Sequence, residues 1–269
     1  MIDKISLSLV RSFEISHQCI TSCVLLPDGG SAYSCDSSCV LVAKPDDTDD
    51  FTISLKPYQS RDIAFIQPAN SLAAPCNKSN KHSIHVIDMK KQLVTQLFRI
   101  LNDYNGVHYK DDHSLLLIGS KGIHIIDLED ISMRSVMNQT IPGTPYITAF
   151  DDYLFYTINS DSRNFLKKDA YEGVNCCDLQ GNHKWQFEDE NILKSPKGIT
   201  VDNEGCIYVA GCHSHNVVVL RPDGSQHGVL LSSRDGLLSP VGIDYDRSTN
   251  QLLVANQSGK VFLYNVKKQ

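Results

Sequence analysis

Alternating apolar and polar positions recur along the chain in short segments that are separated by turn-forming residues. Such segments predict strands with one buried face. Two of them are nearly the same, Ser-Pro-Lys-Gly-Ile-Thr-Val-Asp at 195–202 and Ser-Pro-Val-Gly-Ile-Asp-Tyr-Asp at 239–246, and their glycines lie 44 residues apart. Each is followed by a turn and two further apolar strands. This order matches strands A, B and C of a propeller blade, counted from the central channel outward.

Weaker copies of this segment precede the clear pair, so blades start near residues 20, 61, 106, 146, 198 and 242. A spacing of about 40 to 50 residues suits a four-stranded blade. The sixth copy runs out after its third strand, whereas residues 1–15 form an alternating strand without a blade of its own. We therefore predict an all-β, six-bladed β-propeller, one domain over 1–269, which the N-terminal strand closes as the outer strand of the last blade.

The segment at 195–210, together with the turn Arg221-Pro-Asp-Gly224, resembles the NHL repeat. The match extends to blade six and is schematic in blades one to four, where the Pro-x-Gly start is absent. NHL domains often form the C-terminal part of tripartite-motif proteins, whose RING, B-box and coiled-coil regions are absent from this sequence. The resemblance implies the recognition domain of a RING-type E3 ubiquitin ligase. It further implies a parent that is oligomeric through a coiled coil and an isolated propeller that is monomeric.

Composition and cysteine usage indicate a cytoplasmic protein without a membrane segment. The chain is 41% hydrophobic and 21% charged, with a net charge of -6, which is ordinary for a soluble domain. No apolar run approaches the roughly 18 residues that a membrane helix needs, and the N-terminal residues do not resemble a secretory signal. The nine cysteines lie in apolar runs or at spacings unlike those of zinc sites, so we expect free thiols and no metal.

Motifs of common enzymes are absent from the sequence: GxSxG, HExxH, GxxxxGK[ST] and GxGxxG do not occur. His213 and His215 supply two ligands where a catalytic zinc needs three. Only Asp62 is acidic among the six predicted first positions of the inner strands, which makes a metal-dependent hydrolase or lyase at the channel mouth the weakest alternative. We therefore expect no catalytic residues and no cofactor in this chain.

Charged residues separate between the two faces of the predicted propeller. The A–B and C–D turns share one face, here called the turn face, and most acids fall there. The B–C and D–A loops share the other, the loop face, which is mildly basic and would attract anionic groups. We predict that the loop face binds the ligand. Its candidate residues are Arg61, Lys78, Lys81, Tyr104, Lys121, Tyr146, Arg163, Phe165, Lys197, His213, His215 and Lys260.

Two classes of ligand remain open for this face. A protein partner or ubiquitylation substrate comes first, because the sequence pI of about 5.9 is far below that of a dedicated nucleic-acid domain. The alternative is RNA, with bases stacked on aromatic residues of this face. The candidates are Tyr58, Tyr104, Tyr146, Phe165 and Tyr171. The long B–C connection of blade four, 159–173, is expected to contribute to the same surface.

Overall fold

The computed structural model describes residues 2–16, 19–110, 113–159 and 171–268. Within these ranges the regular elements are strands, apart from two short 3₁₀ helices at Ile2–Lys4 and Ser233–Asp235. The strands form six antiparallel sheets, and one edge strand of every sheet, the inner strand of its blade, contributes to one central channel. The prediction of an all-β, six-bladed propeller is therefore confirmed.

The first three blades are built from consecutive strands. Blade 1 contains β2 (Ile20–Leu25), β3 (Ser31–Cys35), β4 (Cys39–Ala43) and β5 (Asp49–Ser54). In blade 2 the inner strand is divided into β6 (Gln59–Ser60) and β7 (Ala64–Ile66), which both pair with β8 (Ser71–Lys78), followed by β9 (Lys81–Asp88) and β10 (Leu93–Ile100). Blade 3 contains β11 (Gly106–Lys110), β12 (Ser114–Gly119), β13 (Gly122–Asp127) and β14 (Met133–Met137).

The last three blades repeat this order. Blade 4 contains β15 (Ile147–Phe150), β16 (Tyr153–Ile158), β17 (Gly173–Asp178) and β18 (His183–Phe187). Blade 5 contains β19 (Pro196–Val201), β20 (Ile207–Gly211), β21 (Asn216–Leu220) and β22 (His227–Leu231). Blade 6 contains β23 (Pro240–Asp246), β24 (Gln251–Asn256) and β25 (Lys260–Lys268), and its fourth strand is β1 (Ile5–Glu14).

The N-terminal strand closes the ring, as predicted. β1 pairs antiparallel with β25 from Ile5 opposite Lys268 to Glu14 opposite Lys260, with one register shift between Leu9 and Arg11. Because the two ends of the described chain share one sheet, the last blade is complete only when both are in place. Closure of this kind leaves no half-built blade to expose its strand edges.

The hydrophobic core is divided into six clusters of buried side chains, one at each interface between neighbouring blades. In one of them Tyr208 and Val217 of blade 5 pack against Leu252 and Phe262 of blade 6. A middle strand is covered on both faces, since a blade packs on each side of it. This explains why β20 and β21 are buried throughout and read as continuous apolar runs.

The repeated Ser-Pro-x-Gly segment has a structural reason. Ser195 and Ser239 both adopt positive φ, at 49° and 52°, and their carbonyls accept equivalent hydrogen bonds from the B–C loop of the same blade. A Cβ on Gly198 would lie 2.7 Å from the Val241 carbonyl oxygen, and one on Gly242 would lie 2.8 Å from the Cys23 Sγ. The glycines are therefore required where neighbouring inner strands approach each other.

Turn geometry accounts for much of the acidic turn face. Nine aspartates in these turns accept a hydrogen bond from a backbone N–H two residues later, which is the Asx-turn pattern. They are Asp28, Asp46, Asp88, Asp127, Asp130, Asp178, Asp202, Asp223 and Asp246. Aspartate recurs in these turns because of local structure, so the excess of acidic residues on the turn face does not by itself indicate a ligand.

Asp202 is the exception that also ties two blades together. Its buried carboxylate accepts hydrogen bonds from the Tyr208 hydroxyl at 2.9 Å and from two backbone N–H groups. Lys268, at the end of β25, places its Nζ 2.7 Å from Asp202 Oδ2. The pair thus fastens the closing blade to blade 5.

Asp202→Ala is expected to lower the free energy of unfolding by about 3 kcal/mol, because it removes these acceptors and leaves Lys268 without its buried partner. Urea unfolding measures the change. Asp223→Ala is the matched control, since Asp223 makes the same kind of turn at an exposed position, and its loss should be much smaller. Equal losses in the two variants would contradict the assigned role of the Asp202–Lys268 pair.

Candidate functional site

Side chains of the inner strands accept hydrogen bonds from the backbone of the next blade and so line the channel in layers. Three bonds of this type link neighbouring inner strands. They join Val107 N to Asp62 Oδ2 at 2.9 Å, Tyr245 N to Thr200 Oγ1 at 3.2 Å and Leu25 N to Asp244 Oδ2 at 2.8 Å. The bonds place Thr200 and Asp244 at one height in the channel. His108 and Thr148 occupy the equivalent positions of blades 3 and 4, two residues after Gly106 and Tyr146.

Tyr146 crosses the channel at its loop-face end. Its ring is 5% exposed, and its hydroxyl donates to the Thr21 carbonyl of blade 1 at 2.8 Å, with the Arg61 carbonyl of blade 2 at 3.5 Å. Blades 4 and 1 stand on opposite sides of a six-bladed ring. The side chain therefore spans the channel and separates its interior from the loop face.

Above Tyr146 the channel widens into a cavity of about 540 Å³, here called the channel cup. Its lining runs from Ser22, Asp62 and Tyr146 at the floor to Lys110, Phe150 and Arg247 at the rim. The rim residues lie at the ends of the inner strands, where the A–B turns begin. The cup therefore opens on the turn face, on the side of the ring opposite the predicted ligand-binding residues Arg61 and Lys197.

Asp62 is held at the floor of the cup by three donors. Ser22 Oγ and the Ile63 N–H donate to its Oδ1, the latter at 3.0 Å, and the Val107 N–H donates to Oδ2. Burial raises the pKa of Asp62 to about 7, although these three bonds favour the ionised form. Ser22 takes the inner position that the sequence suggested for Ile20, because the register of β2 shifts between these residues.

Two further titratable groups face each other higher in the cup. Burial raises the pKa of Asp244 to about 6. His108, on the opposite blade, has its pKa lowered to about 4 by burial and by the charges of Arg247 and Lys110. At neutral pH the imidazole is therefore uncharged, and one of its nitrogens can donate while the other accepts.

Several predicted basic residues are exposed on the loop face. Lys78 and Lys81 stand opposite each other across the β8–β9 hairpin, and Lys121 lies in the β12–β13 turn. His213 and Lys260 are also exposed, with the Lys260 Nζ 5.5 Å from the centre of the Phe262 ring. Lys78 and Lys81 thus share one hairpin of blade 2, and Lys121 lies in the equivalent loop of the neighbouring blade 3.

Other predicted residues serve the fold. Tyr104 is 1% exposed and packs edge-on against His124, so neither it nor Tyr146 offers a ring to a ligand on the loop face. These two assignments were wrong because an aromatic residue before an inner strand is drawn into the packing between blades. Arg61 and Lys197 are half-buried, and Lys197 Nζ donates to Thr144 Oγ1.

The two histidines of the blade 5 loop do not form a metal-binding pair. His215 Nδ1 accepts a hydrogen bond from the Ser239 N–H at 3.0 Å and links this loop to the next connection. Among the described residues no group of three His, Cys, Asp or Glu side chains is arranged to hold a metal ion. Arg163 and Phe165, with most of the long blade 4 connection, lie outside the described residues.

The loop face is less uniformly basic than its B–C loops suggest. The connection between blades 4 and 5 carries Glu188, Asp189 and Glu190, of which the two glutamates are exposed. Among the described residues, the exposed loop-face lysines include Lys78, Lys81 and Lys121 on blades 2 and 3 and Lys260 on blade 6, whereas an acidic group lies between blades 4 and 5. Across the described residues, no helix has the length and apolar character needed to span a membrane.

Sequence reasoning missed the residues of the channel cup. Only the first inward position of each inner strand was considered, whereas His108, Thr148 and Asp244 stand two residues further along. Side chains of a strand return to the same face at every second residue. Reading the positions at i+2 and i+4 from Gly106 and Gly242 would have found His108, Lys110 and Asp244.

No protein-family model matches the chain, and no curated protein matches it. Solved structures share its fold. A structural genomics protein of unknown function from Bacteroides thetaiotaomicron has a TM-score of 0.73 at 12% identity, over 98% of this chain and 76% of that one. The PQQ-bound form of an aldose sugar dehydrogenase from Streptomyces coelicolor has a TM-score of 0.74 at 14% identity, over 98% and 99%.

Hydrazine synthase from Kuenenia stuttgartiensis also matches, with a TM-score of 0.62 at 15% identity, over 93% of this chain and 83% of that one. These are three of 1323 matching chains, and at such identities they show the fold alone. The protein is a six-bladed β-propeller, and this class includes both enzymes and binding modules. Its function has to be argued from the two surfaces described above.

Asp62 makes stability depend on pH in a defined direction. Its pKa of about 7 in the folded protein exceeds the value of about 3.9 in an unfolded chain, so the folded state holds the proton more tightly. The contribution to stability is complete below about pH 4 and is lost as pH rises through about 7. The free energy of unfolding, measured with urea, should decline less over this pH range in Asp62→Asn than in the wild type. Parallel declines would show that Asp62 does not titrate as described.

Proposed function

We propose that the chain is a non-catalytic recognition propeller of the NHL kind, which binds a protein partner or ubiquitylation substrate on its loop face. The observation that carries the proposal is the exposed side chain of Leu101, which is 95% accessible and lies on a connection between two loops that carry exposed lysines. Surface leucines are common one at a time. Here, however, the leucine stands on a connection that is anchored on both sides.

The anchors lie on the two neighbouring blades. Asn77 Nδ2 donates to the Tyr104 carbonyl at 2.6 Å, and Ser120 Oγ donates to Asp103 Oδ1 at 2.6 Å. The 101–105 connection is thereby bound between the hairpin that carries Lys78 and Lys81 and the turn that carries Lys121. An exposed apolar side chain on a connection fixed between two lysine-bearing loops suits an acidic protein segment with an apolar anchor residue.

RNA binding on the same face is the second candidate, and the structure supports it less. Two of the aromatic residues that could stack bases, Tyr104 and Tyr146, are buried. The acidic group at 188–190 would repel phosphates on that part of the face. Protein recognition requires neither a stacking ring nor a uniformly basic surface.

The parent assembly follows from the same resemblance. In a tripartite-motif protein the RING domain would carry the ligase chemistry, the coiled coil would make the parent oligomeric, and the propeller would select the substrate in the cytoplasm. This proposal assigns no catalytic residue and no cofactor to the chain. It is supported by the shared backbone geometry of the Ser-Pro-x-Gly segments in blades 5 and 6.

Affinity capture from cell extract with the purified propeller tests the surface. The double variant Leu101→Asp and Lys121→Glu should lose the captured partner at near-physiological salt, because it removes the apolar anchor and reverses a neighbouring charge. The matched control is Ile131→Asp with Lys90→Glu, which makes the same changes at exposed turn-face positions and should retain the partner.

The same proteins are then mixed with a pool of short single-stranded RNAs. We expect no binding at micromolar concentration. RNA binding that the loop-face variant abolishes would put RNA recognition in first place. A partner captured equally by the wild type and both variants would overturn the assignment of the loop face.

A further inference from the structure

The cations at the rim of the channel cup differ from others on the turn face. Ion pairs occupy several of those others: Arg11 with Asp47, Lys44 with Asp50, Lys91 with Asp88, Lys184 with Asp178, and Lys268 with Asp202. Lys110 and Arg247 line the cup, and no described carboxylate oxygen lies within 4.0 Å of their side-chain nitrogens. Two cations that form no ion pair with a described carboxylate thus border one cavity, whose lining also contains the acids Asp151 and Asp246.

Arg247 is held over the cup by fixed contacts. Its Nη2 donates to the Ala149 carbonyl at 3.2 Å and its Nε to the Val201 carbonyl at 3.5 Å, while the guanidinium lies 5.4 Å from the centre of the Phe150 ring. The side chain therefore extends from blade 6 across blade 5 to blade 4. Its Nη1 group has no partner among the described residues, and a positioned guanidinium loses little further entropy on binding an anion.

Below the rim, the middle layer of the cup is polar on one side and apolar on the other. The polar arc comprises His108, Thr148, Thr200 and Asp244 on blades 3 to 6, whereas Val24 and Ala64 line blades 1 and 2. Thr200 is already an acceptor for a backbone N–H. The Thr148 hydroxyl has no hydrogen-bond partner among the described residues, and the neutral His108 and the Asp244 carboxylate supply a donor and acceptors.

We propose that the channel cup binds a small polyhydroxylated anion, of the chemical class of a sugar phosphate or sugar acid. The anionic group lies between Lys110 and Arg247 at the rim, and the hydroxyls bond to His108, Thr148 and Asp244 below. The volume of about 540 Å³ falls in the usual range for small-molecule sites, roughly 300 to 1,000 Å³.

The acids of the cup fit this ligand and argue against a simple anion. The Asp244 carboxylate can accept hydrogen bonds from hydroxyl groups. A polyhydroxylated molecule carries such groups next to its anionic end, whereas inorganic phosphate does not. A neutral sugar satisfies the polar arc but leaves the two rim cations without a partner. The site opens on the turn face, and Tyr146 separates it from the loop face, so it stands independently of the proposed partner surface.

Isothermal titration calorimetry of the full chain with glucose 6-phosphate, gluconate, glucose and inorganic phosphate tests the proposal. At least one of the two hydroxylated anions should bind with one-to-one stoichiometry, and glucose and phosphate should each bind at least about tenfold more weakly. The preference between glucose 6-phosphate and gluconate distinguishes a phosphate-bearing from a carboxylate-bearing ligand.

Two variants probe the two parts of the site. Lys110→Gln should weaken binding of the preferred anion by about tenfold or more, and Thr148→Val by about three- to tenfold, because it removes one hydroxyl at nearly constant volume. Lys90→Gln, an exposed turn-face lysine outside the cup, should leave the affinity unchanged. Thermal midpoints equal to the wild type show that the variants remain folded.

The proposal is overturned if neither anion binds at millimolar concentration, or if glucose binds as tightly as both. It is equally overturned if Lys110→Gln and Thr148→Val, with unchanged thermal midpoints, bind the preferred anion as the wild type does. Loss of binding in either variant with retention in Lys90→Gln supports it.

Discussion

The inner edges of the six A strands face a channel, where a propeller provides no neighbouring strand to complete their hydrogen bonds. Buried backbone groups without partners are costly, so the edges need other acceptors and donors. In this protein, side chains supply them. Asp62, Thr200 and Asp244 accept from the backbone of the next blade, and Tyr146 and Arg247 donate to carbonyls of blades further around the ring. The apolar clusters hold neighbouring blades together away from the channel. The side-chain hydrogen bonds hold the same blades together along the channel.

These hydrogen bonds between blades also determine the shape of the channel. Tyr146 spans it at one end, and the side chains above leave a cavity open at the other. The two ends therefore offer different chemistry. The loop face presents an exposed leucine between lysine-bearing loops, which suits a macromolecular partner, whereas the turn face presents a polar cup with Lys110 and Arg247 at its rim. Two proposals about binding are possible because the channel does not connect these surfaces.

The fold could be predicted from local sequence because each blade repeats the same physical requirements. Gly198 and Gly242 recur where inner strands approach, and Asp recurs where turns need an acceptor for a backbone N–H. The closing role of β1 followed from counting strands. The site was harder to predict, because Tyr104 is buried between blades 2 and 3 and Tyr146 reaches across the channel to blade 1, and local sequence shows neither contact. The opening of the channel on the turn face depends on the Tyr146 hydroxyl, which reaches across the ring to Thr21. No pattern in the local sequence predicts this contact.

The central claim is that side chains of neighbouring blades hold the inner strand edges, and amide hydrogen exchange measured by NMR tests it most directly. The decisive amides are those of Leu25, Val107 and Tyr245, which donate to Asp244, Asp62 and Thr200. We predict that they exchange as slowly as amides of the B–C strand pairs, and that Asp62→Ala accelerates Val107 while Leu25 remains slow. Rapid exchange of all three amides in the wild type, at the rate of exposed loops, would contradict the account.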